Sequence, residues 1–228
     1  MTRSLHVGFM LFPQVLSLDF IGPYSVLRSG PNVQTDLIWK NTEPIMSSDR
    51  LLLSPTLAIA NCPQLDVLCV PGGEGILEMM EDQDILNFIR AQSTGLHYLC
   101  SVCTGSLILG AAGLLLGKKA TTHWQSFDML TEFGAIAVHK RVVSDHCLFT
   151  AAGVTSGIDM ALHLAGKLWG DEIAQTIQLN MEYHPEPPYN SGTPQSAPSS
   201  CVEAQRKKSE ERQAKRLLVA RRAAAKLV

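Results

Sequence analysis

Continuous apolar runs alternate with helical periodicity along most of the chain. Leu5 to Phe12 is an apolar run ended by Pro13 and reads as a buried first strand. Val15 to Ser29 follows as a loop and a helix. Pro23 suits a first helical turn, which places Asp19 in the connection just before that helix. Val33 to Trp39 alternates as a second strand, and residues 41 to 63 read as short strands and turns. Asp66 to Val70 is another buried strand, running into Pro71-Gly72-Gly73. Asp84 to Gln92 carries Ile85, Phe88 and Ile89 on one helical face. His97 to Cys100 reads as a strand, and Ser106 to Ala112 as a buried helix ending at Gly113.

Ala120-Thr121-Thr122-His123-Trp124 leads into a helix through Phe133, closed by Gly134. Val142 to Ser144 and Cys147 to Thr150 read as a hairpin around Asp145-His146. A long helix then carries Ile158, Ala161, Leu162, Ala165 and Trp169 at helical spacing, and another covers Asp171 to Tyr183. Apolar strands alternating with helices predict an α/β fold, a mostly parallel sheet sandwiched by helices. In such sheets the site forms at the carboxyl ends of the strands. Asp19, Gly72-Gly73, Cys103 and Gly153-Val154 each follow a predicted strand, so they are expected to gather at one edge.

Composition narrows this picture. The 228 residues are 46% hydrophobic, enough for a full core, with a net charge of −2. Nucleic acid and anionic membranes are therefore not expected partners. The first apolar stretch is broken by Pro13 and Asp19, and no run is long enough to cross a bilayer. Six cysteines without disulfide rhythm suit reduced thiols and a cytoplasmic location. Residues 1–183 read as one α/β domain. Residues 184–228 read as a Pro-rich linker and a basic helical tail, packed on the same domain or on a partner subunit. The tail invites a nucleic-acid reading through Arg206-Lys207-Lys208, but it has no aromatics, and a docked helix is the better expectation.

The candidate chemistry centres on Cys100-Ser101-Val102-Cys103-Thr104-Gly105-Ser106. A strand turning at once into a helix, with small residues two before and two after a nucleophile, is a nucleophile elbow. The helix N-terminus is expected to favour the thiolate of Cys103. Two other readings are a small core thiol and a Cys100-x-x-Cys103 redox pair. The pair is disfavoured, because residues three apart in a strand face opposite ways.

These pieces resemble the DJ-1/PfpI superfamily, with its class I glutamine-amidotransferase-like, flavodoxin-like fold. The matching stretches are Gly8-Phe9-Met10-Leu11-Phe12-Pro13, Leu18-Asp19-x-x-Gly22-Pro23, Pro71-Gly72-Gly73, the Cys103 elbow, Ala120 to Trp124, and Gly153 to Asp159. Within the superfamily the chain looks like the isocyanide (isonitrile) hydratases, although the sensor domains of some AraC-type regulators share the elbow. The protease-like and chaperone-like members usually carry His after the nucleophile; here Thr104 stands there. Ala151-Ala152 stands where glycines are expected before Gly153.

The resemblance implies a homodimer that needs no cofactor or metal and acts on a small-molecule isocyanide, R–N≡C. Cys103 would attack the terminal carbon to give a thioimidate, and water would release the formamide R–NH–CHO. Asp19 would be the acid/base, although a lone Asp before a helix is also an N-cap. Thr104 would hydrogen-bond substrate, water or sulfur. Gly72 and Gly73, with Gly153 and Val154, would form the substrate and oxyanion wall. His123 is a base or a structural histidine and stays outside this set. The alternatives are a non-enzymatic redox or ligand sensor and a glyoxalase or deglycase, the latter disfavoured by Thr104.

Overall fold

The computed structural model describes residues 4–227. The principal elements begin with β1 (Leu5–Met10), α1 (Ser17–Arg28), β2 (Val33–Trp39), β3 (Ile45–Met46), β4 (Leu52–Leu53), β5 (Leu57–Ala58), β6 (Val67–Val70), α2 (Ile76–Met79) and α3 (Gln83–Ser93). They continue with β7 (Tyr98–Val102), α4 (Gly105–Ala111), β8 (Lys119–Ala120), a 3-10 helix (Trp124–Phe133), β9 (Ile136–Ala137), β10 (Val142–Asp145) and β11 (Leu148–Ala151). The helices α5 (Ser156–Trp169), α6 (Asp171–Asn180) and α7 (Ser199–Ala224) complete the order.

Seven strands form one sheet in the order β10-β11-β7-β6-β1-β2-β5. Neighbours run parallel except for the β10–β11 edge hairpin. Every residue of β6 is buried, as are Val7, Phe9 and Met10 of β1, because the sheet is covered on both faces. Helices α1 and α5 pack on each other and on the strands. A second group forms around α4, which packs on β6 and β7 and against α2, α3 and the 3-10 helix. Chain order runs outward from β1 to β2 in one direction and from β6 to β7 in the other. The connections after β1 and β6 therefore part at a topological switch point, the usual place for a site in an open α/β sheet.

Several elements differ from the sequence reading. Helix α1 starts at Ser17, so Asp19 lies in its first turn and Pro23 in its interior. Proline there leaves the Asp19 carbonyl without an intrahelical N–H donor. Strand β7 extends through Val102, right up to Cys103. The segment after His123 is a 3-10 helix rather than an α-helix, and Gly134 closes it at φ +69°. The hairpin turns at His146-Cys147, one residue later than expected, with His146 at φ +55°.

Helix α7 lies along the 3-10 helix and α4 of its own chain. Val219, Ala220 and Ala223 enter the common core. Arg212, Arg221 and Arg222 pair with Glu74, Glu132 and Glu81, at 3.0, 3.1 and 2.9 Å. Its basic residues thus meet the acidic body. No described helix is long and apolar enough to cross a membrane.

Candidate active site

Cys103 occupies the turn between β7 and α4 at φ +56°, a left-handed conformation that non-glycine residues adopt only under constraint. The constraint is visible. Its N–H donates to Ala151 O at 3.0 Å, and its carbonyl accepts from Thr122 Oγ1 at 2.9 Å. Gly105, two residues on, has no room for a side chain. A Cβ there would sit 2.1 Å from Val70 O and 2.7 Å from Pro71 O. Helix α4 can start this close to β6 only with glycine at that position. Cys103 ends up almost fully buried, at 6% exposure.

Asp19 has no solvent exposure at all. Its Oδ2 accepts from the Gly72 N–H at 3.0 Å, while Oδ1 has no partner within hydrogen-bonding distance. Burial pushes the carboxyl up to about 7; the Gly72 amide and the nearby Cys103 thiol oppose that rise, and Asp49 adds to it. Thr104 caps α4 without a side-chain cap bond, and its Oγ1 accepts from the Gly73 N–H at 3.4 Å. A Cβ on Gly72 would lie 2.5 Å from Thr104 Oγ1 and 3.0 Å from Asp19 Oδ2. The 71–75 segment is stitched to the connection after β1 through Leu16 N to Gly72 O (3.0 Å) and Glu74 N to Gln14 O (2.9 Å). The two glycine amides thus hold the carboxylate and the hydroxyl beside the sulfur.

The thiol is not acidified at rest. Burial pushes Cys103 up, and the neighbouring Asp19 adds to this. The Thr104 N–H and hydroxyl and the Arg216 guanidinium pull it down without prevailing. Helix polarity was expected to favour thiolate, and desolvation outweighs it. Cys100 is fully buried, and all six cysteines are free.

A cavity of about 180 Å³ opens at the nucleophile, lined by Cys103, Thr104, Gly73, Val154, His123 and Arg216 among others. Val154 and His123 also line a larger neighbouring cavity of about 750 Å³, to which Gly153, Trp124 and Phe127 belong. His123 is pushed down to about 4 by burial, then by Arg216 and Arg212, so its ring is neutral at neutral pH. Its Nδ1 accepts from Gln125 N at 3.4 Å, capping the 3-10 helix. Sequence reasoning missed Arg212 and Arg216 of α7, which line the nucleophile cavity. In the sequence they look like any other cations of a basic tail; a hint lies in Arg216 preceding the apolar run Leu217-Leu218-Val219-Ala220.

A parallel α/β sheet with a cysteine on a strained strand–helix turn, and a buried carboxylate at the switch point beside it, defines an elbow-type cysteine protein. Residues 6–167 match the DJ-1/PfpI family, and the chain belongs to it. It is 53% identical to isonitrile hydratase of Pseudomonas putida over 224 residues, 98% of each chain. It is 36% identical over 179 residues to the HTH-type transcriptional regulator GbdR of Pseudomonas aeruginosa, covering 75% of this chain and 48% of that protein. Among solved structures, a ThiJ/PfpI family protein from Pseudomonas syringae superimposes with a TM-score of 0.92 at 36% identity, covering 97% of this chain and 90% of that one. Drosophila melanogaster DJ-1beta matches at TM-score 0.73 and 23% identity over 80% of this chain and all of that one, a likeness of fold.

Proposed function

We propose that this protein is an isocyanide hydratase, converting R–N≡C and water into R–NH–CHO at Cys103. The observation that carries the reading is the buried Asp19 carboxyl, with a pKa near neutrality, set beside a buried thiol on an elbow. Near-full-length identity to an isonitrile hydratase supports it.

The isocyanide carbon is nucleophilic until it gains a proton and then becomes strongly electrophilic. The reaction therefore needs a proton donor and a soft nucleophile at one carbon. At neutral pH Cys103 is a thiol and Asp19 is partly ionised. Asp19 takes the thiol proton and delivers it to the terminal carbon as sulfur bonds there, giving the thioimidate R–N=CH–S. Water then adds across the C=N bond, placing hydroxyl on carbon and hydrogen on nitrogen. Collapse breaks the C–S bond, sends the hydroxyl proton through Asp19 to sulfur, and releases the formamide. The sum is R–N≡C plus water, with thiol and carboxylate restored.

The Thr104 hydroxyl, which interacts with the Cys103 thiol, hydrogen-bonds the attacking water in this reading. Gly72 and Gly73 orient Asp19 and Thr104, and Val154 with Gly153 borders the R group. The burial of Cys103 and Asp19 limits the water that could quench the protonated carbon before sulfur attacks. The test is formamide production from cyclohexyl isocyanide, identified by mass spectrometry. Wild type forms N-cyclohexylformamide and Cys103→Ala does not; an inert wild type with a Cys103 that reacts with methylglyoxal or peroxide instead would sink the reading.

The free cysteines support a reducing cytoplasm. The family resemblance supports a homodimer, which light scattering of the purified protein checks directly.

A further inference from the structure

Arg216 sits on α7, remote in sequence from Asp19, Cys103 and Thr104, and is only 5% exposed. A buried guanidinium normally meets a carboxylate, because an unpaired buried charge is strongly destabilising. This one does not. Its Nη1 donates to Ser126 Oγ at 2.8 Å, and Gln213, with its carboxamide oxygen turned inward, accepts from Nη1 at 3.2 Å. Both partners are neutral. Nε has no partner. The carboxylate whose charge reaches it, Glu74, is bonded to Arg212 at 3.0 Å instead.

What Arg216 does face is the nucleophile cavity, whose wall it shares with Cys103 and Thr104. The other charged or titratable groups on that wall are Glu74 and Arg212, already paired, and His123, which is neutral. Asp19 approaches Cys103 from α1 behind the wall. The unmatched positive charge therefore shares a cavity wall with a sulfur that becomes anionic twice in the cycle, on attack and on departure from carbon.

We infer that Arg216 is the resident cation of the nucleophile cavity, whose guanidinium stabilises the Cys103 thiolate formed on attack and expelled on collapse. It acts through the sulfur and is a positioning charge rather than a catalytic residue. The inference rests on Cys103 as nucleophile and does not need the substrate to be an isocyanide. The energetic logic is one of exchange. Folding buries a cation whose compensation arrives when sulfur ionises, so the cost of the lone guanidinium at rest lowers the barrier to thiolate. The helix that carries it forms one wall of the cavity, and the burial of Arg216 itself leaves that charge weakly screened.

The test is the pH profile of Cys103 alkylation by iodoacetamide, followed on the Cys103 peptide by mass spectrometry because Cys147 and Cys201 are exposed. Arg216→Met removes the charge and keeps an apolar stem. Arg216→Gln is a second charge-free variant that retains a polar group for Ser126, should the methionine protein fail to fold. Arg216→Lys keeps a cation. Because burial holds the thiol high, the readout is the rising limb. In the charge-free variants it is expected to shift upward by about one pH unit, read as roughly tenfold slower alkylation at a given pH, with lysine restoring most of it. Formamide production falls in parallel. A folded charge-free variant whose alkylation profile superimposes on wild type overturns the inference. That holds even if its turnover drops, since Arg216 would then serve packing or an anionic substrate group. A wild type that makes no formamide but shows the predicted shift sinks the hydratase reading and leaves Arg216 in its role.

Discussion

The Gly72 N–H donates to Asp19 Oδ2 at 3.0 Å, joining the end of β6 to the first turn of α1 across the switch point of the sheet. This bond holds a carboxyl group that burial would otherwise drive still further toward its neutral form. A carboxyl raised to about 7 suits the acid/base role proposed for Asp19.

Asp19→Asn is expected to cut formamide production by about 10²-fold or more, the usual contribution of a positioned acid/base. Its stability moves the other way. The folded pKa of about 7 lies above the ordinary 3.8, so the folded chain binds this proton more tightly than the unfolded chain. The stability from that proton is full below pH 4 and is lost as pH rises through 7, on the order of a few kcal/mol in total. Asparagine stays neutral. Thermal melts are therefore expected to show the variant gaining on wild type from pH 5 to pH 8.

The rate of wild type is expected to rise through about pH 7 as Asp19 ionises and becomes able to take the thiol proton. His123, pushed down to about 4, is not the source of that limb. His123→Asn keeps a cap for the 3-10 helix and is expected to leave the limb in place. A limb that disappears with His123 would transfer the base to that residue.

Cys103→Ala and Cys103→Gly are both expected to be inactive, and comparing them measures the strain of the elbow. The left-handed backbone at φ +56° costs a non-glycine residue about 1–2 kcal/mol. Glycine is therefore expected to give the more stable protein, despite its greater chain entropy when unfolded. Denaturant titration of the two variants reads the difference.

Two glycines of the site are expected to answer differently to one added methyl. At Gly72 a Cβ would meet Thr104 N at 2.7 Å, backbone that cannot rotate away. Gly72→Ala is expected to lose about 1–3 kcal/mol of stability and to displace Thr104 and Asp19, cutting turnover at least about tenfold. Gly153 has nothing within 4 Å of such a methyl, and Gly153→Ala is expected to fold like wild type. Melting curves with matched kinetics separate the two.

Deleting residues 199–228 is expected to abolish activity and lower the melting temperature markedly. Deletion uncovers the surface against which Val219, Ala220 and Ala223 pack and removes one wall of the nucleophile cavity. By contrast, Arg221→Ala and Arg222→Ala break exposed ion pairs and are each expected to cost less than about 1 kcal/mol.

Much of this architecture was legible in the order of residues. The apolar runs of β1 and β6 declare buried parallel strands, because only strands covered on both faces dispense with alternation. Cys103 was legible because an elbow needs small flanks, and Gly105 leaves no room for anything larger. Asp19 and Gly72 could be expected at one edge, since both follow strands of a parallel sheet.

Tertiary structure alone decided the rest. The start of α1 before Pro23 is set by packing against α5, which overrides proline's preference for a first turn. The ionisation of Cys103 depends on how much water remains around the sulfur, and spacing carries no information about desolvation. Arg216 enters the site from more than 100 residues downstream because α7 folds back along the 3-10 helix. Local pattern specifies which face of a strand or helix is buried. Which distant charge is buried with it depends on long-range packing, and here that packing puts an unpaired guanidinium on the wall of the nucleophile's cavity.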